Sequence, residues 1–160
     1  MSLSLEEQLV NKLIETNSHI ACAESCTGGL IASRIVNVAN ASKVLDVSFV
    51  TYANEAKIKY LGVSPATIAS HGVVSEEVAA EMAAGVAKEA GSEAGIAVSG
   101  IAGPSGGTET KPVGMVCFGF YINGKITTKT CRFGNPGRNE VRKLSTDYAL
   151  KTALELLSQG

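Results

Sequence analysis

Histidine is scarce in this 160-residue chain, occurring only at His19 and His71. That scarcity weighs against a Ser-His-Asp triad and against a histidine-rich metal centre. His19 reads as a helix-to-strand boundary residue, and His71, before Gly72, as part of a turn. Close cysteine pairs are also missing: Cys22, Cys26, Cys117 and Cys131 lack zinc-ligand spacing and read as mostly buried, reduced thiols. No apolar run reaches membrane-spanning length, and the N-terminal stretch, with Glu6 and Glu7, lacks a basic segment followed by an apolar core. The expectation is therefore a cytoplasmic protein with no membrane partner. An excess of positive charge is absent too. Fourteen Lys and Arg against fifteen Asp and Glu give a formal charge of -1, so no global field marks a nucleic-acid binder. One phosphate on a small molecule needs only a few local cations and backbone amides, and that option stays open.

What the chain does have is apolar substance. Hydrophobic residues make up 45% and charged residues 18%, a balance that excludes disorder and supports one domain over residues 1–160 with a substantial core. Leu5, Leu9, Val10, Leu13 and Ile14 predict a helix over 3–15, with Ser4 and Glu7 placed to cap it and Asn17 and Ser18 to end it. Strands are predicted at 20–24, 44–52 and 94–99. Helices are predicted at 28–38, at 54–61 with Asn54 as cap, and from Ser75 through the alanine-rich stretch to Glu89 or Ala90. Pro65 reads as a break after Gly62, and Gly85 as a point of close packing. Asn123-Gly124 between 113–122 and 125–133 is a hairpin signal, and a helix follows over 136–157. Alternating strands and helices followed by a hairpin predict a single-domain α/β layered fold with a mixed β-sheet flanked by helices.

Two segments carry chemistry. Glu24-Ser25-Cys26-Thr27-Gly28-Gly29 follows a predicted strand and presents Ser25 at a turn, where Thr27, Gly28 and Gly29 can bring backbone donors close to a developing oxyanion. Thr51-Tyr52-Ala53-Asn54-Glu55-Ala56-Lys57 supplies a lysine in the first turn of a helix, where the helix dipole disfavours its charge. A neutral amine beside a serine can take its proton during attack, which points to a covalent hydrolase, with Tyr52 placed to orient a proton network. Taken alone, Ser25 also fits a helix cap, Lys57 a solvent-facing helical position and Tyr52 an aromatic at the core's edge. The loop Gly100-Ile101-Ala102-Gly103-Pro104-Ser105-Gly106-Gly107 lacks the lysine of a Walker A sequence and the full dinucleotide-binding glycine pattern, so it suits close substrate approach rather than triphosphate hydrolysis. Arg132, Arg138, Arg142 and Lys143 form a basic C-terminal region, and Gly134-Asn135-Pro136-Gly137 beside Arg138 admits an anion.

These ordered motifs, with Lys111 to Gly114 and the final helix, resemble the C-terminal domain family of the competence-damage-inducible protein CinA, which includes stand-alone nicotinamide-nucleotide amidases. The resemblance spans nearly the entire chain, which looks like an isolated amidase domain. It implies hydrolysis of nicotinamide mononucleotide to nicotinate mononucleotide and ammonia, with Ser25 as nucleophile, Lys57 as general base and Tyr52 assisting, and with no cofactor or catalytic metal. It implies substrate contacts at Ser99 and the loop Gly100, Ile101, Ala102 and Gly103. Either Arg138 or Arg142 is a phosphate partner on this reading, and a homo-oligomer, such as a homodimer, is implied. The alternative is a nucleotide-binding regulatory domain that keeps the pocket with weak or lost turnover. A structural interaction protein is a third reading, resting on helix-rich composition alone.

Overall fold

Ser4 and Glu7 start the first helix of the computed structural model, which describes residues 2–159. The Ser4 hydroxyl accepts from the Glu7 amide and the Glu7 carboxylate accepts from the Ser4 amide, closing the expected box ahead of α1 (Leu5–Glu15). Met1 and Gly160, the ends of the expected 1–160 unit, lie outside the described residues. The elements that follow are β1 (Ile20–Glu24), α2 (Leu30–Val36), β2 (Leu45–Val50), α3 (Asn54–Leu61), α4 (Pro65–His71), α5 (Glu76–Ala90), β3 (Ala94–Gly100), β4 (Met115–Ile122), β5 (Lys125–Arg132) and α6 (Arg138–Gln159). One sheet holds the strands in the order β2-β1-β3-β4-β5. β1 is parallel to β2 and β3, and the β4–β5 hairpin adds two antiparallel strands. This is the expected mixed sheet with helices on its faces.

Alternation along the strands divides the core. Ile20, Cys22, Ile96, Val98, Phe118 and Phe120 pack with α1, α2 and α6. Ala21, Ala23 and Ala97 face α5, whose Val78, Met82, Ala83 and Val86 cover them. Small residues let α5 lie close to the sheet: a Cβ built on Gly119 would meet the Ala79 carbonyl oxygen at 2.2 Å. The buried alanines of α5 are thus used inside the chain, where they serve close helix-on-sheet packing. Gly85 is tighter still, since its Cβ would fall 1.9 Å from the Leu61 carbonyl oxygen of α3. Gly85→Ala is expected to lower unfolding stability by about 2 kcal/mol, because overpacking outweighs the roughly 1 kcal/mol gained in helix propensity. Chemical denaturation of the two proteins checks this.

Four local expectations change. Pro65 opens α4 instead of ending a pattern: Ser64 caps the helix by accepting from the Ala66 amide, and proline at the first helical position loses no intrahelical bond. His71 consequently ends a helix instead of lying in a free turn. Asn54 is the first helical residue of α3, and Ala53 occupies the cap with no side-chain bond. The helix expected from residue 28 begins at Leu30, because Gly28 and Gly29 take φ values of +59° and +104°, outside right-handed helix.

The topology fixes where a site can form. β1 connects through α2 to β2 on one side, while β3 lies on its other side, so the chain diverges at the carboxyl ends of β1 and β3. Ligand clefts in α/β sheets form at such a divergence. The turn after β1, the segment after β2 and the long loop after β3 all gather there.

Candidate active site

Ser25 begins where β1 ends, and its amide donates to the Val98 carbonyl of β3 at 3.2 Å, extending the ladder by one bond. The turn beyond it is organised by Glu24, which is fully buried. One Glu24 carboxylate oxygen accepts from the Thr27 hydroxyl (2.6 Å), the Gly29 amide (3.1 Å) and the Ile31 amide (3.0 Å), and the other accepts from the Ala32 amide (3.0 Å). A carboxylate thereby satisfies the orphan donors at the start of α2, leaving Ser25 free of the capping role that its sequence context also fits. Glu24 was legible only as the end of a strand, since a buried acid is recognised by its partners.

Lys57 reaches this turn from α3. It is 1% exposed, and its Nζ lies 3.2 Å from Ser25 Oγ, 2.7 Å from the Thr51 carbonyl oxygen and 3.2 Å from the Tyr52 carbonyl oxygen. Both carbonyls are available because they lie between β2 and α3, outside regular pairing. Loss of hydration on burial brings the Lys57 pKa down to about 8. In the charged form three protons meet three acceptors. In the neutral form two protons stay on the carbonyls and the lone pair faces Ser25 Oγ, the arrangement that a proton acceptor needs. Cys26, next to the serine, is no rival nucleophile, because burial pushes its thiol up to about 11. All four cysteines are free thiols, three of them buried and Cys131 half-buried.

Ser25 and Lys57 open onto a cavity of about 470 Å³. Ser99, Gly100, Ile101, Ala102 and Gly103 line it, as does Arg138. Ser99 is held there by donating from Oγ to the Val73 carbonyl at 2.9 Å. Arg138 donates to the Gly103 carbonyl (2.7 Å) and to the Tyr52 hydroxyl (3.1 Å). Tyr52 is therefore split: its carbonyl orients Lys57, while its exposed ring and hydroxyl pair with Arg138 and do not stand between serine and lysine. Lys111, also on the cavity wall, donates to the His71 carbonyl at the end of α4. Lys57, Lys111 and Arg138 give the lining three cations and no carboxylate, in a chain whose net charge is -1. Such a cavity favours an anionic ligand.

Thr27, Gly28, Gly29 and Arg142, expected beside the substrate, do not line this cavity. The Thr27 hydroxyl and Gly29 amide bind Glu24, and the Gly28 amide donates to the Ser25 carbonyl at 3.1 Å. The Cys26 and Thr27 amides have no hydrogen-bond acceptor among the described residues. Arg142 donates to the Cys26 and Thr27 carbonyls from behind the turn. Sequence reasoning gave no role of its own to Lys111 and only a helix cap to Asn54, both on the wall; the signal for each was its position inside a motif already singled out.

The profile described as the CinA C-terminal domain matches residues 2–157. The chain belongs to that family. Among CinA relatives, a CinA-like protein of Kosmotoga olearia is 52% identical over 147 residues, covering 92% of this chain and 35% of that protein. The chain spans 35–36% of the length of this and two Alkaliphilus relatives that it also matches. Two solved CinA-type structures match end to end. The CinA superfamily protein of Klebsiella pneumoniae superposes with a TM-score of 0.93 at 34% identity, covering 98% of this chain and 97% of that one. The competence/damage inducible protein of Agrobacterium tumefaciens gives 0.89 at 39% identity, covering 99% of each. Among the described residues no helix is long and apolar enough to cross a membrane, and no group of three or more His, Cys, Asp or Glu side chains could hold a metal ion.

Proposed function

We propose that the protein hydrolyses the carboxamide of nicotinamide mononucleotide to nicotinate mononucleotide and ammonia. The observation that carries this reading is the Lys57 amine, desolvated and aimed at Ser25 by two backbone carbonyls. Ser25 Oγ attacks the carboxamide carbon as its proton passes to neutral Lys57. The tetrahedral oxyanion is received by the amide of Cys26, which lines the cavity and has no acceptor among the described residues. Collapse breaks the C–N bond, and the Lys57 ammonium returns its proton to the departing nitrogen, releasing ammonia. Water then attacks the acyl-serine, Lys57 takes a proton from it, and the Ser25–acyl bond breaks with that proton restored to Oγ. Every step is acid–base or nucleophilic, so the residues present suffice.

The cationic wall supports a phosphorylated substrate, with Arg138 as the phosphate partner and Lys111 adding charge. Arg138→Ala is expected to raise KM for nicotinamide mononucleotide about tenfold or more, the scale of one lost charge-assisted contact. It should leave KM for nicotinamide riboside, which has no phosphate, within about twofold on the same grounds. Steady-state ammonia release with the two substrates reads this directly.

The reading itself is tested by incubating the protein with nicotinamide mononucleotide and measuring ammonia and nicotinate mononucleotide together. Equimolar formation of both supports the amidase. Binding of the nucleotide with no product would leave the regulatory domain as the better account.

A further inference from the structure

We propose that the backbone amide of Gly100 is a second oxyanion donor alongside that of Cys26, a role that rests on the amidase reading above. Gly100 is the last residue of β3, is half-buried, and lines the cavity together with Ser25 and Cys26.

The sheet decides where that amide points. Along an antiparallel pair, alternate residues turn their N–H and C=O toward the partner strand, and the residues between them turn theirs away. The Ile101 amide donates to the Met115 carbonyl at 2.9 Å, so Ile101 faces the β4 side and Gly100 faces the β1 side. There β1 runs parallel to β3 with Glu24 opposite Val98, and the Ser25 amide donates to the Val98 carbonyl at 3.2 Å. One more bond of that parallel pattern would carry the Gly100 amide to the Ser25 carbonyl. The ladder stops short of it. The Ser25 carbonyl accepts from the Gly28 amide at 3.1 Å, inside the turn that follows β1. The Gly100 amide is left with no acceptor among the described residues, aimed across the strand gap at the level of Ser25. Water satisfies such a donor in the open cavity, and an oxygen that gains charge during attack by Ser25 can replace that water.

The neighbours hold this donor still. The Ser99 hydroxyl donates to the Val73 carbonyl at 2.9 Å and the Ile101 amide to Met115, so the chain is tied on both sides of Gly100. Only glycine fits between them, since a Cβ on Gly100 would fall 2.7 Å from Val116 Cγ2 and 3.0 Å from Val116 Cβ, and Val116 is fully buried. The Cys26 and Gly100 amides thus come from the turn after β1 and from the end of β3, two segments joined by the Ser25–Val98 bond. Donors fixed in advance cost no reorganisation when the charge develops.

The test replaces Gly100→glycolic acid, which puts an ester oxygen where the amide N–H stood and adds no side-chain atom. With nicotinamide mononucleotide, kcat is expected to fall about 100-fold, the scale of one lost oxyanion donor, with KM within about twofold because the interaction strengthens only as the carbon becomes tetrahedral. Pyridine-3-boronic acid supplies a tetrahedral probe: Ser25 Oγ adds to boron, its proton passes to Lys57, and no group leaves. Its affinity should fall in parallel with kcat, while the dissociation constant of nicotinate mononucleotide and the pH midpoint of activity stay unchanged. Unchanged kcat in the folded ester variant overturns the proposal. So does equal weakening of the boronic acid and nicotinate mononucleotide, which would make Gly100 a ground-state contact. If the ester variant lacks a cooperative thermal transition, the amide proton resonances of the unaltered protein decide. Downfield movement of the Gly100 resonance on adding the boronic acid supports the proposal, and an unmoved resonance overturns it. If the unaltered protein releases no ammonia, the amidase reading falls and takes this role with it. If that protein is active while the ester variant matches it, only the role of Gly100 falls.

Discussion

Ser25→Ala is expected to lower kcat for ammonia release by about 10⁵-fold, the scale seen when a hydrolase loses the nucleophile of a group that acts as a unit. The covalent step then has no acceptor for the acyl group, and Cys26 does not replace it, because its thiol stays protonated until about pH 11. Binding should survive. Ser25 contributes a hydroxyl to a cavity wall that also holds Ser99, Lys111 and Arg138, so the dissociation constant for nicotinamide mononucleotide should change by less than about threefold. Stopped ammonia assays with calorimetric titration of the variant check both halves. Substantial residual turnover would remove Ser25 from the reaction. A matching observation is mass spectrometry of the unaltered protein quenched during turnover, which should find a nicotinoyl group on Ser25.

Lys57→Met should lower kcat about 10³- to 10⁴-fold, the contribution of a positioned general base. The unaltered protein should show kcat/KM rising with pH up to about 8 and then levelling, because only the neutral amine accepts the serine proton and burial sets its pKa there. The same shift has a consequence for stability. Lys57 titrates at about 8 in the folded protein against 10.5 when unperturbed. Between those values the unfolded chain binds more protons than the folded one, so stability rises with pH across that window. At pH 7 the amine is charged in both states, and the folded protein carries the cost of burying that charge. Raising the pH from 7 to above 10.5 should therefore move the unaltered protein's stability, relative to Lys57→Met, upward by about 3 kcal/mol. Denaturant titrations of both proteins at the two pH values measure the difference. A pH-independent gap would mean that the buried amine is not perturbed.

Much of the site was legible before the fold was known, and the parts that were not share a cause. Ser25 and Lys57 announced themselves through motif chemistry, 32 positions apart in sequence and joined in space by one hydrogen bond. Tyr52 was legible as a member of the same segment, but its side chain turns to Arg138 while its carbonyl holds the lysine. Thr27, Gly28 and Gly29 were expected to bring backbone donors near the oxyanion. The glycine amides are occupied by Ser25 and Glu24, Thr27 is buried off the cavity, and the turn's unoccupied amide on the cavity wall is that of Cys26. Arg138 and Arg142 lie one helical turn apart on the same face, so no sequence argument separates them. Packing does: the first reaches the cavity and the second reaches the back of the serine turn.

The sequence by itself determined the order of the five strands and of every helix except α4, through the spacing of apolar residues and the glycine and proline signals between them. It also determined which residue types could perform nucleophilic chemistry without histidine or metal. Only the tertiary structure decided that Lys57 is buried and that its partners are two carbonyls and one serine. Desolvation depends on everything that packs around a group, and those neighbours come from parts of the chain that local sequence does not connect. An ammonium in the first turn of a short helix reads as a solvated charge until the sheet and α5 close around that helix. Once they have, the same residue is an amine poised to take a proton.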